Sequence, residues 1–220
     1  MTHLIENVRE FFISKKKFIP TELKVQYINQ LMEVGYFAID IGEFGSQHFQ
    51  FSDLEEVINE IENKNSTQIL VKITDLQQFE KVLQSEKINL VEISFSLFEK
   101  LDFLFFPEKI VVNFEDKASL PNLEKCRQKS VKWFKICPKN NLFPENLLNQ
   151  LKNHLFETQI IIDFYHPDFR FFETSLKNYA GGISTEKMLT CLSAHKEKTQ
   201  IQMLALETAC NTAKKIFSEF

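Results

Sequence analysis

The chain has 220 residues, enough for one large domain with a substantial core or for two small ones. Its 26 basic and 30 acidic residues leave a net charge of −4 and are spread along the whole length, which argues against a nucleic-acid or anionic-membrane surface. No apolar run suggests a signal peptide or a membrane span, and the four cysteines form no CxxC pair, so we expect a cytoplasmic protein without a disulfide framework or a zinc site.

Short apolar segments typical of buried parallel strands recur along the chain. The first predicted strand is Ile5–Phe12. The second, Tyr36–Ile41, is too continuously apolar for a strand with one wet face, as expected where helices cover both faces of a sheet. Five further strands are predicted, at Gln68–Ile73, Leu90–Phe95, Lys109–Phe114, Val131–Ile136 and Gln159–Phe164.

Between these strands the apolar residues recur at helical spacing. Thr21 follows Pro20 and is predicted to cap the first helix, and Gly35 lies where a left-handed C-cap residue belongs. Other helices are predicted at Leu54–Ile61, Leu76–Leu83 and Leu147–Leu155, with shorter ones within Leu97–Phe105 and Leu123–Lys129. Two helices are expected to close the chain, Thr185–Ala194 with Ser184 as its N-cap and roughly Glu197–Phe217.

Seven strands that alternate with helices predict an α/β fold with a parallel sheet. Their even spacing favours a TIM-type (β/α) barrel, shortened or irregular at its closure, with about seven to eight strands and two C-terminal helices. An open doubly wound sheet is the alternative, although no glycine-rich phosphate fingerprint follows any strand. No linker, repeat or low-complexity tract divides the sequence, so residues 1–220 are interpreted as a single β/α-barrel domain.

Three segments of the chain, Phe18–Phe44, Gln68–Ser96 and Ala180–Leu192, resemble one known family. The first, with IPTELKVQYINQLMEVGYFAIDIGEF, is similar to the first helix and second strand of the hydroxymethylglutaryl-CoA lyases, which are metal-dependent barrel lyases. The second resembles the strand–helix–strand unit around that family's third and fourth strands. The third, with AGGISTEKMLTCL, resembles its turn into a C-terminal helix. The resemblance implies the barrel fold and, for an active member, carbon–carbon lyase chemistry with Mg²⁺ or Mn²⁺.

The resemblance also assigns candidate site residues. The family opens its first strand with Arg-Asp-Gly-Leu-Gln-Asn-Glu, in which the Arg stabilises the developing enolate and the Asp binds the metal. Arg9 matches that Arg as a candidate catalytic residue, and Glu10 takes the metal-ligand position with a carboxylate one methylene further out. Asp40 matches the acidic residue of the second strand as a second catalytic candidate. His166 is a candidate for another reason, because it follows the seventh predicted strand at the end of the barrel where such sites are built, and it could act as acid–base group or metal ligand.

Other functional positions of the family have no counterpart here. The His-x-His metal pair is represented only by His166 at a different spacing, and the Asn ligand falls on Gly182. The loop with the catalytic Cys falls on a segment that contains Phe171 and Phe172 and no Cys. The resemblance therefore argues for the fold and against the metal-dependent reaction, and we expect no cofactor unless the site is active.

Two functional hypotheses follow. The first is a binding or interaction protein whose partner is a small acyl ligand or another protein. The sequence is also compatible with a homodimer. In that case an Arg9–Glu10 ion pair would fill the barrel mouth in place of a metal. The second is an active lyase or aldolase-type enzyme that uses Arg9, Glu10, Asp40 and His166 on a small acyl substrate. An active site requires Glu10 and His166 to converge in an open cavity.

Overall fold

The computed structural model describes residues 1–62, 66–102, 106–114, 119–136, 159–162, 170–176 and 183–220. Eight parallel strands close into a barrel in the order β1 to β8. The strands are β1 His3–Asn7, β2 Ala38–Phe44, β3 Gln68–Ile73, β4 Leu90–Ser94, β5 Ile110–Asn113, β6 Trp133–Ile136, β7 Gln159–Ile162 and β8 Phe171–Thr174. The predicted TIM-type barrel is confirmed, and the open-sheet alternative is wrong.

Helices cover the outside of the barrel. In the described ranges they are α1 Val8–Ile13, α2 Thr21–Val34, α3 Leu54–Glu60, α4 Phe79–Gln84, α5 Phe95–Phe98, α6 Leu120–Gln128, α7 Thr185–Ala194 and α8 Met203–Glu219. Single 3-10 turns occur at Phe49–Phe51, Leu76–Gln78 and Pro107–Lys109. Within these ranges no helix combines the length and the apolar character that a membrane crossing requires.

The first predicted strand is wrong over its second half. Strand β1 ends at Asn7, whose side-chain oxygen accepts a hydrogen bond from the Glu10 backbone N–H at 3.0 Å and so caps α1. Val8, Phe11 and Phe12 are apolar and buried in either conformation, so the hydrophobic pattern did not reveal the change from strand to helix. As a result, Arg9 and Glu10 lie on the first turn of a helix rather than on a barrel strand.

The eighth strand, β8, lies beyond the seven strands that the sequence predicts. It pairs with β1 over His3–Glu6 and with β7 over Ile161 and Ile162, and these pairings close the barrel. The strand has only four residues, FFET, which is too short for a clear period-2 pattern.

The helix ends were predicted with mixed success. Gly35 is the left-handed C-cap of α2 at φ +89°, and Ser184 caps α7 by accepting from the Lys187 N–H. The N-cap of α2 is Pro20 rather than Thr21, whose hydroxyl instead donates to Asp53. Helix α5 ends earlier than predicted, α6 begins earlier, and α8 is displaced towards the C-terminus. The helix predicted at Leu147–Leu155 lies outside the described residues.

The amino-terminal end of the barrel is closed by aromatic rings. The Trp133, Phe37 and Phe171 rings lie 5.0–5.3 Å apart, and His3 stacks on Phe171 at 5.0 Å. A second set of inward-facing apolar side chains packs against them: Ile5, Ala38, Leu70, Leu90, Val111 and Ile161. This apolar plug fills the lower barrel, so the described polar side chains of the interior lie towards the carboxyl ends of the strands, where TIM-barrel sites are found.

Candidate functional site

Four charged side chains form one layer inside the barrel. They are Asp40 on β2, Glu92 on β4, Lys135 on β6 and Glu173 on β8, and all four are buried. Each lies two residues after an inward-facing side chain of the apolar plug on the same strand: Ala38, Leu90, Trp133 or Phe171. Because side chains alternate along a strand, the even-numbered strands contribute a whole layer of the barrel interior, and here that layer is charged.

Lys135 links two of the carboxylates. Its Nζ lies 2.9 Å from Glu92 Oε2 and 2.5 Å from Glu173 Oε1. The amides of two further strand residues donate to the same carboxylates, Asn113 to Glu92 Oε1 at 2.8 Å and Asn7 to Glu173 Oε1 at 3.3 Å. Since a buried charge is costly unless it is paired and hydrogen-bonded, these contacts offset the cost of burying Glu92, Lys135 and Glu173.

Arg9 enters the barrel mouth from α1 and engages the third carboxylate of the layer. Its Nε donates to Asp40 Oδ2 at 2.9 Å. Its Nη1 lies 3.3 Å from Glu10 Oε1 and 3.5 Å from Glu43 Oε2. The expected Arg9–Glu10 ion pair is therefore present at the barrel mouth. At the rim, Lys72 Nζ lies 3.8 Å from Glu43 Oε2, and the Glu10 side chain remains 35% exposed.

The two carboxyl groups of Asp40 and Glu92 have different proton affinities. Burial raises the pKa of Asp40 to about 7, although the positive charges of Arg9 and Lys135 oppose the shift. Burial also acts on Glu92, but there the charges of Lys135 and Arg9 prevail and lower its pKa to about 2. Neighbouring carboxyls whose pKa values are driven apart can serve as a proton-exchanging group and a fixed negative charge.

The structure brings together two of the residues that the resemblance assigned, Arg9 and Asp40, and joins Glu10 to them through Arg9. His166 lies outside the described residues. Glu92, Lys135 and Glu173 were not recognised from the sequence. One sequence signal could have found them, because each is the single charged residue of a short buried strand, LVEIS, WFKI or FFET. An isolated charge that is buried requires a partner of opposite sign.

One oxygen from each of Asp40, Glu92 and Glu173 lies within 4.8 Å of the others, a set that by itself could hold a divalent metal. Two of these carboxylates, however, already contact the Lys135 ammonium, and the third contacts Arg9. A divalent ion among them would lie beside both positive charges, and Glu10 directs its carboxylate to Arg9. The described residues therefore do not fit a divalent metal while Lys135 is in place.

Comparisons with known proteins support the fold. No protein-family model matches the chain, and no curated protein does. Among solved structures, the chain is similar to the HMG-CoA lyase of Bacillus subtilis, with a TM-score of 0.74 and 14% identity over 99% of this chain and 94% of that one. It is also similar to the HMG-CoA lyase of Brucella melitensis, with a TM-score of 0.73 and 14% identity over 98% of each chain.

A third similar structure is an HMG-CoA lyase from Acinetobacter baumannii in complex with coenzyme A and 3-methylmalate. Its TM-score is 0.73 and its identity 16%, over 96% of this chain and 90% of that one. These likenesses extend over nearly the whole length of the chain at low identity. The protein thus belongs to the class of closed β/α barrels, and its barrel has the fold of the HMG-CoA lyases, as the sequence resemblance implied.

Proposed function

We propose that this chain is a lyase-like barrel that lacks metal-dependent carbon–carbon lyase activity and acts as a binding protein. The observation that carries the proposal is the pairing of the three buried carboxylates with cations of the chain itself, Lys135 and Arg9. A Lewis acid at such a site contributes several kcal/mol of charge stabilisation to the reaction, and here Lys135 and Arg9 make the carboxylate contacts that a metal ion would need.

The rim above the charged layer is the region that offers contacts to a ligand. Glu10, Glu43 and Lys72 are partly exposed there. Arg9 uses Nε and Nη1 in its ion pairs within the described part of the chain, which leaves Nη2 to donate to an acyl oxygen. We propose a small acyl compound as the ligand of this rim. A protein partner, including a second copy of the chain, is the other class of partner to test.

One observation favours a second candidate, an aldolase-type or carbon–carbon lyase reaction on a small acyl substrate without a metal. With a pKa of about 7, Asp40 can accept or release a proton near neutral pH. The Arg9 guanidinium, which contacts Asp40 at 2.9 Å, would stabilise negative charge developing on the substrate.

We expect no detectable cleavage of hydroxymethylglutaryl-CoA by the purified protein at high concentration, with or without Mg²⁺ or Mn²⁺. The assay follows product formation in the wild type, in Asp40→Asn and Arg9→Lys, and in Lys81→Ala as an exposed control away from the site. Turnover that survives in Lys81→Ala, disappears in both site variants and changes with pH through about 7 would contradict the proposal and establish the second candidate.

A further inference from the structure

We propose that the Lys135 ammonium group is a built-in substitute for a bound cation, occupying a three-carboxylate site formed by Asp40, Glu92 and Glu173 and excluding divalent cations from it. The inference rests on the proposed absence of metal-dependent chemistry and names the group responsible. It also predicts a property that the wild-type protein does not display, namely a divalent-cation site that opens when the ammonium is removed.

The carboxylates have the spacing of a cation site. One oxygen from each lies within 4.8 Å of the other two. A divalent cation with oxygen ligands at about 2.0–2.6 Å separates those oxygens by about 3–5 Å, so the cluster needs little rearrangement to accept one. Asn113 and Asn7 donate to the outer carboxylates at 2.8 and 3.3 Å, which holds Glu92 and Glu173 in orientation.

A second observation concerns the remaining carboxylate. Asp40 is completely buried, and its Oδ1 has no hydrogen-bond partner among the described residues, although Oδ2 accepts from Arg9. A buried carboxylate oxygen without a partner is costly, and a coordinated cation would satisfy it. The ammonium lies 2.9 and 2.5 Å from the other two carboxylates, so Asp40 Oδ1 is the ligand position that a small monovalent group leaves unsatisfied.

Removal of the Lys135 ammonium leaves an excess of negative charge among the three carboxylates. Without it, Glu92 and Glu173 lose the cation that links them inside the barrel, and Arg9 remains bound to Asp40. A divalent ion supplies two positive charges at the vacated position and accepts all three carboxylates as ligands.

The test is the Lys135→Met variant, which keeps the apolar stem and removes the charge. Calorimetric titration with MnCl₂ is expected to show millimolar or weaker binding to the wild type and binding at least about 30-fold tighter to the variant, with a Tm that rises as Mn²⁺ is added. Lys72→Met is the matched control, because Lys72 is a rim lysine 3.8 Å from one carboxylate, and it should titrate like the wild type. Adding Asp40→Asn to Lys135→Met should abolish the gain.

If Lys135→Met does not stay folded alone, it is refolded from urea with and without about 1 mM Mn²⁺. Recovery only with Mn²⁺ supports the proposal. A variant that neither binds Mn²⁺ nor is recovered by it overturns the proposal, as does a gain of equal size in Lys72→Met. The proposed function fails on a separate result, substrate turnover by the wild-type chain, which does not depend on this titration.

Discussion

Replacing Arg9 by methionine is expected to lower the free energy of unfolding by about 3–5 kcal/mol at pH 8, because it leaves a buried carboxylate without its cation. Asp40 is completely buried, and Arg9 Nε lies 2.9 Å from its Oδ2. Urea denaturation followed by far-UV circular dichroism measures the change. The loss should be smaller at pH 5, because the pKa of Asp40 is about 7 already in the wild type and protonation relieves the unpaired charge.

The double variant Arg9→Met/Asp40→Asn separates this electrostatic cost from a loss of packing. Asparagine removes the charge that Arg9 balances, so the double variant should recover most of the stability lost in Arg9→Met. Glu10→Gln is a suitable control, since Glu10 is partly exposed and its ion pair with Arg9 contributes at most about 1 kcal/mol. Strictly additive effects of the two substitutions would show that the Arg9–Asp40 contact does not stabilise the barrel mouth.

The second large effect concerns Glu6, a buried carboxyl on β1 that contacts Leu176 after β8 and Thr185 at the start of α7. Its Oε1 accepts from the Leu176 N–H at 2.7 Å and its Oε2 from the Thr185 hydroxyl at 2.9 Å. Burial raises the pKa of Glu6 from its ordinary value of 4.5 to about 8, in spite of these hydrogen bonds. Between these two pH values the folded chain therefore keeps a proton that the unfolded chain has released.

The sign of the pH dependence follows from that proton. The free energy of unfolding should fall as pH rises from 4.5 to about 8, by at most about 1.4 kcal/mol per pH unit from this group. Glu6→Gln removes the titration, keeps an acceptor oxygen for the Leu176 N–H, and should be more stable than the wild type at pH 8 by up to about 5 kcal/mol.

Denaturation curves at pH 5, 6, 7 and 8 test this expectation as the difference between Glu6→Gln and wild type. Other titrating groups, Asp40 among them, cancel in that difference. Glu207→Gln, on an exposed position of α8, should run parallel to the wild type. If the stability of Glu6→Gln changed with pH as steeply as that of the wild type, Glu6 would be ionised in the folded protein.

The local elements of the barrel were predictable where one physical cause dominates. Continuous apolar runs identify strands β2 to β7, because strands covered on both faces need no polar alternation. Gly35 and Ser184 marked their helix ends, since a positive φ and an N-cap hydroxyl have strong residue preferences. The end of β1 was not predictable, because Val8, Phe11 and Phe12 satisfy a buried strand and a buried helix equally well.

The candidate site was predictable only in part. The resemblance to a known family identified Arg9 and Asp40, which contact each other in the structure. It could not identify Lys135, Glu92 or Glu173, because each is an isolated charge in a different strand, and Lys135 is 43 residues from Glu92 and 38 from Glu173. Only closure of the barrel places alternate strands in one layer and so turns three isolated charges into an ion-pair network.

The central claim is that the buried carboxylates pair with the chain's own cations rather than with a metal. Anomalous diffraction from wild-type crystals grown with MnCl₂ tests this claim most directly. We expect Lys135 Nζ in contact with Glu92 and Glu173, Arg9 in contact with Asp40, and no manganese peak among the three carboxylates. A manganese peak coordinated by Asp40, Glu92 and Glu173, or by Glu10, with Lys135 or Arg9 displaced from its partners, would contradict this.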